Sequence, residues 1–71
     1  MSETMAFMVF CVEAYKNAKA LTGKQVDALF RRYGLYEYLQ ESYDVLHTTG
    51  HQYIVKDIDA FIAVRNPDAT T

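Results

Sequence analysis

Seventy-one residues make one domain with a single small core. Hydrophobic residues are 51% of the chain and charged ones only 23%, which excludes intrinsic disorder. Nine acids against seven bases leave a net charge of -2, which argues against a basic nucleic-acid or membrane-surface binder.

The first predicted helix runs from Glu3 to Lys19, with Ser2 or Thr4 as its N-cap. Phe7, Phe10, Cys11, Ala14 and Ala18 recur at helical spacing, and Met8, Val12 and Tyr15 widen that stripe toward the full circumference. A helix apolar on most sides is either central in its fold or half of an oligomer interface. Met5 to Val12 is an unbroken apolar run, but it is far short of the ~20 residues that cross a bilayer. Glu3 precedes the run and Glu13, Lys16 and Lys19 follow it, the reverse of a signal peptide's charge order. The run reads as a buried helix, and no membrane segment is expected.

The second helix opens on a capping box: Thr22 caps, and Gln25 three residues on reaches back. Leu21 and Val26 fit the accompanying hydrophobic staple. Its stripe is Val26, Leu29, Phe30 and Tyr33, and Gly34 supplies a left-handed stop.

The third helix starts at once with Leu35 and is expected to continue to about His47. Tyr36, Leu39, Tyr43 and Leu46 line one face, while Glu37, Gln40, Glu41 and Asp44 face water. A histidine in the last turn suits the helix dipole. Thr48-Thr49-Gly50 then reads as a turn. Tyr53, Ile54 and Val55 are β-prone and are expected to form at most a short extended run. The fourth helix spans about Val55 to Arg65, with Ile58, Phe61, Ile62 and Arg65 in register and Asp57 as cap or first-turn acid. Asn66-Pro67 stops it.

The expected fold is therefore all-α. It is a single domain over residues 1–66, a bundle of about four helices with the second and third joined by a tight glycine turn. A disordered tail over residues 67–71 follows. The alternative is a winged-helix variant with Tyr53 to Val55 in a hairpin.

Candidate chemistry is sparse. Cys11 is the single cysteine, so no internal disulfide forms, and the cytoplasm is the expected location. Its apolar surroundings make it an inert core thiol. His47 and His51 have the spacing of a zinc pair on a continuous helix, but Gly50 lies between them and further ligands are scattered. A cap histidine and a loop histidine are the simpler reading. Gly23, Gly34 and Gly50 stand alone, so no phosphate-cradling loop is formed. Glu13 with Lys16, and Asp27 with Arg31, are helix neighbours on solvated faces. No enzyme activity, metal or cofactor is expected.

The second and third helices around Gly34 have the outline of a helix-turn-helix. Phe30 occupies the position four before the glycine where a small residue is needed. Glu37, Glu41 and Asp44 would also face the phosphates, so nucleic acid is not the expected ligand. Six tyrosines are more than so small a core buries, and tyrosine is enriched at protein interfaces.

Read together, several pieces carry a family likeness. They are Phe7 to Tyr15 (FMVFCVEAY), Thr22 to Val26 (TGKQV), Leu29 to Leu35 (LFRRYGL), Tyr43 to Thr48 (YDVLHT) and Tyr53 to Asp59 (YIVKDID). Over about Met5 to Ile62 the chain resembles a family of short bacterial proteins, common in gut anaerobes, classed as a domain of unknown function. Genes of that family often lie beside genes for an ADP-ribosyltransferase-like protein, in pairs that look like toxin–antitoxin systems. The resemblance implies an antitoxin-like partner of such a neighbour, and it carries over no catalytic residue.

The expected function is non-enzymatic protein binding. Met8, Val12 and Tyr15 of the first helix and Tyr36, Glu37, Glu41 and Tyr43 of the third are the expected contact residues. A homodimer through the first helix is also expected, because Met5 to Val12 cannot all face one small core. The alternatives are a helix-turn-helix-like DNA-binding regulator and a structural oligomerisation module.

Overall fold

A computed structural model describes residues 2–66. Among the described residues there are five helices and no strand: α1 (Glu3–Lys19), α2 (Gly23–Tyr33), α3 (Leu35–Glu41), α4 (Tyr43–Leu46) and α5 (His51–Arg65).

The local signals at α1 and α2 act as their chemistry dictates. Ser2 caps α1, its Oγ accepting from the Met5 amide at 3.1 Å. Glu3 in the first turn and Lys16 and Lys19 in the last complement the helix dipole. Both halves of the capping box are made at α2: the Gln25 amide donates to Thr22 Oγ1 at 3.1 Å and the Thr22 amide to Gln25 Oε1 at 2.9 Å. Gly34 is left-handed at φ 70° and ends α2 while opening α3.

Two segments differ from the sequence reading. The third helix is not continuous. Ser42 takes φ -97° and ψ 9°, a bridge-region conformation, and divides the segment into α3 and α4. Leu39 and Leu46, on either side of the break, are both buried in the core, as a seven-residue step also allows on an unbroken helix. The second correction is the β-prone run. Tyr53, Ile54 and Val55 lie inside α5, which starts four residues earlier than expected, at His51. Ile54, Ile58 and Ile62 are all buried and recur every four residues. One helix buries all three on one face, and that burial outweighs a propensity difference of well under ~1 kcal/mol per residue. Asp57 is accordingly inside the helix and is not its cap. The tail expected to be disordered lies outside the described residues.

The core draws on every helix. Phe7, Cys11 and Tyr15 come from α1, Val26 and Phe30 from α2, Leu35 and Leu39 from α3, Leu46 from α4, and three isoleucines from α5. Phe30 sits at its centre, 5.8 Å from the Tyr15 ring and 5.5 Å from the Tyr36 ring between centroids. Phe10 is not among the core residues, although the sequence puts it in the same stripe as Cys11. Successive helical residues are turned by about 100°, which leaves Phe10 at the edge of the buried face.

The α1 and α5 helices run side by side in the same direction. Asp59 of α5 meets both Tyr15 and Lys19 of α1, and eight residues earlier His51 shares a groove with Phe10.

Candidate protein-interaction site

The tyrosines carry an organisation that composition does not reveal. Tyr15 donates to Asp59 at 2.8 Å, Tyr36 to Asp27 at 2.6 Å, and Tyr38 to Asp57 at 2.5 Å. Tyr43 donates to Glu3 at 3.4 Å, and Asn66 donates to the Tyr33 hydroxyl at 2.8 Å. Each pair joins two different helices or a helix to the residue after α5. Four of the hydroxyls thus bind carboxylates across the fold. Burial pushes the Tyr36 and Tyr38 hydroxyls up to about 12, and the facing carboxylates add to the shift. Tyr15 is raised further, first by burial and then by Asp59. The Tyr36 hydroxyl is in turn the main reason that the Asp27 carboxyl lies below its usual range, with Arg31 assisting.

These contacts redistribute the seven expected contact residues. Tyr15 is buried, and its ring and hydroxyl are both used internally. Tyr36 and Tyr43 are half-buried, with their hydroxyls directed to Asp27 and Glu3. Glu37 and Glu41 are exposed, but they line a shallow hollow with Tyr38, Phe61 and Arg65 that includes no α1 residue. Met8 and Val12 remain half-exposed on α1. The seven therefore do not converge on one surface, and Tyr15 belongs to the core.

Three other apolar side chains of α1 are open to solvent: Met5 at 48%, Val9 at 47% and Phe10 at 45%. Met5 and Val9 are one turn apart and share a face beside Met8 and Val12. Phe10 points about 140° away from Met5. It stands at the head of a groove of about 650 Å³ whose floor and walls include Ala14, Ala18, Glu13, Val55 and Lys56. On its other side Phe10 borders a second hollow of about 500 Å³ with Glu3, Ala6, Tyr43 and His47. The signal for the groove was in the sequence, as Phe10, Ala14 and Ala18 at four-residue steps. Their spacing matches core residues equally well, and only the position of α5 decides which they are.

Cys11 is fully buried, and desolvation pushes its thiol up to about 12. His47 follows α4; its Nδ1–H donates to the Tyr43 carbonyl at 2.6 Å, and its ring stacks on Tyr43 at 4.4 Å. His51 lies at the first turn of α5 in the wall of the groove. Among the described residues no three His, Cys, Asp or Glu side chains gather as a metal site, and no helix is long and apolar enough to cross a membrane.

The family model described as "Protein of unknown function (DUF3791)" matches residues 6–65. The chain belongs to the DUF3791 family. That match spans every helix and begins just inside α1. No curated protein and no solved structure matches the chain. Within this DUF3791 domain Val9 and the groove that α5 completes lie inside the matched region, and Met5 lies just before it.

Proposed function

We propose that this DUF3791 protein is a non-enzymatic protein-binding module. Its partner is the ADP-ribosyltransferase-like protein expected to be encoded beside it, and its role is antitoxin-like. The observation that carries this reading is the exposure of Met5 and Val9, flanked by half-exposed Met8 and Val12, on the helix that is also central to the core. A solitary small domain gains nothing by exposing such a set, whereas a partner surface buries it. Apolar anchors on one helix face dock in a partner's groove.

Charge supports the same reading. From Gly34 to Val55 the chain has no Lys or Arg, and Glu37, Glu41 and Asp44 are all exposed. A partner with a basic, phosphate-binding site meets an opposite field there, which speeds encounter more than it adds affinity. The same charges disfavour DNA, whose affinity comes mainly from phosphate contacts.

Co-expression with the neighbouring gene tests the proposal. Capture of the tagged chain should retain the neighbour, and the neighbour should be less toxic in its presence. Met5→Glu should reduce capture while the circular dichroism spectrum stays helical. A neighbour that neither co-purifies nor loses toxicity refutes the proposal, and retention of DNA alone replaces it with the regulator.

A further inference from the structure

We propose that residues 43–49 form a strap that opens as a unit while the rest of the domain stays folded, and that its opening takes Tyr43 off Phe7. The segment carries α4 and the turn after it, and it is bonded almost wholly to itself. The Val45 and Leu46 amides donate to the Ser42 carbonyl at its base, at 3.1 and 2.9 Å. The His47 amide donates to the Tyr43 carbonyl at 2.9 Å and the Thr49 amide to the Leu46 carbonyl at 3.0 Å. The Thr48 and Thr49 hydroxyls donate to the Val45 and Leu46 carbonyls at 3.1 and 2.7 Å. None of these bonds reaches beyond Ser42, so none breaks when the segment swings away as one piece.

Little else holds it down. Leu46 is its one buried side chain, and Val45 is 70% exposed, whereas each of the other helices puts two or three side chains into the core. The Tyr43 ring meets Phe7 edge-on, at 5.4 Å between centroids. The Tyr43 hydroxyl donates to Glu3 at 3.4 Å, the sole hydrogen bond among the described residues that ties the segment to a distant helix. Beneath it lies the hollow of about 500 Å³ between Tyr43 and His47 on one side and Glu3, Phe7 and Phe10 of α1 on the other. Both ends can pivot: Ser42 is already out of helical conformation, and at Gly50 even an added Cβ would have nothing within 4 Å. A segment with one buried side chain and solvent-facing backbone bonds opens before the core does. Closed, it keeps Phe7 only 7% exposed. Open, it leaves Phe7 and Phe10, one turn apart on α1, as one apolar surface on the side away from Met5 and Val9.

Amide hydrogen exchange of the full chain alone, followed by NMR, tests the strap without a partner, so its outcome is separate from that of the proposed function. The Leu46, His47 and Thr49 amides should have protection factors at least about tenfold lower than those of Phe30 and Ile58. Thr22→Ala lies outside the strap and destabilises the whole fold. It should speed exchange at Phe30 and Ile58 about fivefold and leave the three strap amides unchanged. Tyr43→Ala removes both the ring over Phe7 and the bond to Glu3, and should speed the strap amides at least about fivefold. Strap amides as protected as the core, or accelerated by Thr22→Ala as much as Ile58, overturn the proposal, because the segment then opens only with global unfolding. Strap amides without any protection overturn it too, since there is then no closed state. So does a Tyr43→Ala variant whose strap amides exchange at the wild-type rate.

Discussion

The Tyr38 hydroxyl donates to the Asp57 carboxylate at 2.5 Å, fastening α3 to α5 across nineteen residues of chain. Beside that bond the Tyr38 ring also packs on Phe61 of α5, at 4.3 Å between centroids. Tyr38→Phe keeps the ring and removes the bond. Asp57 is only half-buried and recovers some of its hydrogen bonding from water. A loss of about 1 kcal/mol is expected, at the lower end for bonds to a charged group. Chemical denaturation checks it. In a domain of this size the same loss lowers Tm by roughly 4–8 °C.

Alkaline pH should unfold the protein through its buried hydroxyls and thiol. Tyr36 and Tyr38 rise from an ordinary 10.0 to about 12 in the fold, and Cys11 from 9.0 to about 12. In each case the folded state holds its proton more tightly than the unfolded state. The stabilisation is thus complete below pH 9 and is lost as pH rises toward 12 and beyond. Thermal melts from pH 8 to pH 12 should show Tm falling across that window. The double variant Tyr36→Phe, Tyr38→Phe should start lower and fall less steeply. At the other end Asp27, held low by Tyr36, stabilises the fold above the ordinary carboxylate range. That contribution disappears as pH falls through its lowered value.

Local backbone chemistry gives a third expectation. Gly34 sits at φ 70°, where an L side chain is strained even though the nearest atom to a new Cβ, Glu37 Oε2, is 3.5 Å away. Gly34→Ala should therefore cost about 1 kcal/mol through conformation and not through a clash. Thr22→Ala removes the capping box's acceptor and should cost a similar amount, about 1 kcal/mol. The two are adjacent to α2 at opposite ends, so their effects on denaturation midpoints should add.

Both of those positions were legible in the sequence because their physics is local. A threonine three residues before a glutamine, and a glycine directly between two apolar runs, fix conformation within one turn. The misread segments carry no such local marker. Nothing near Ser42 in sequence announces the break in the third helix, and Leu39 and Leu46, seven residues apart, fall on one face with or without it. Tyr53 to Val55 is β-prone by residue type, but Ile54 joins Ile58 and Ile62 only if the run is helical. The candidate site was harder still. Phe7 and Phe10 are three residues apart on one helix, and only the placement of α5 makes one core and the other surface. Tyr15 was misassigned for a related reason: a hydroxyl that can bind a carboxylate across the fold has no marker in the local sequence.

Core and surface should separate sharply in stability. Ile58 is fully buried, and Ile58→Ala should cost about 3 kcal/mol. That is most of the ~3–5 kcal/mol that so small a core supplies, so the variant should be largely unfolded at room temperature. Val64 is exposed on the same helix, and Val64→Ala should change stability by less than about 0.5 kcal/mol. Circular dichroism at 222 nm, a wavelength chosen for its helical signal, compares the two directly.

Native mass spectrometry of the chain co-expressed with its genomic neighbour tests most directly whether α1 is a contact helix on the Met5 and Val9 side. The wild-type spectrum should contain a complex of the two proteins. Val9→Glu alters a side chain that is 47% exposed, so it should leave the fold intact and remove the neighbour from the complex. A wild-type spectrum without the neighbour, or a Val9→Glu spectrum that retains it unchanged, would contradict the proposed function.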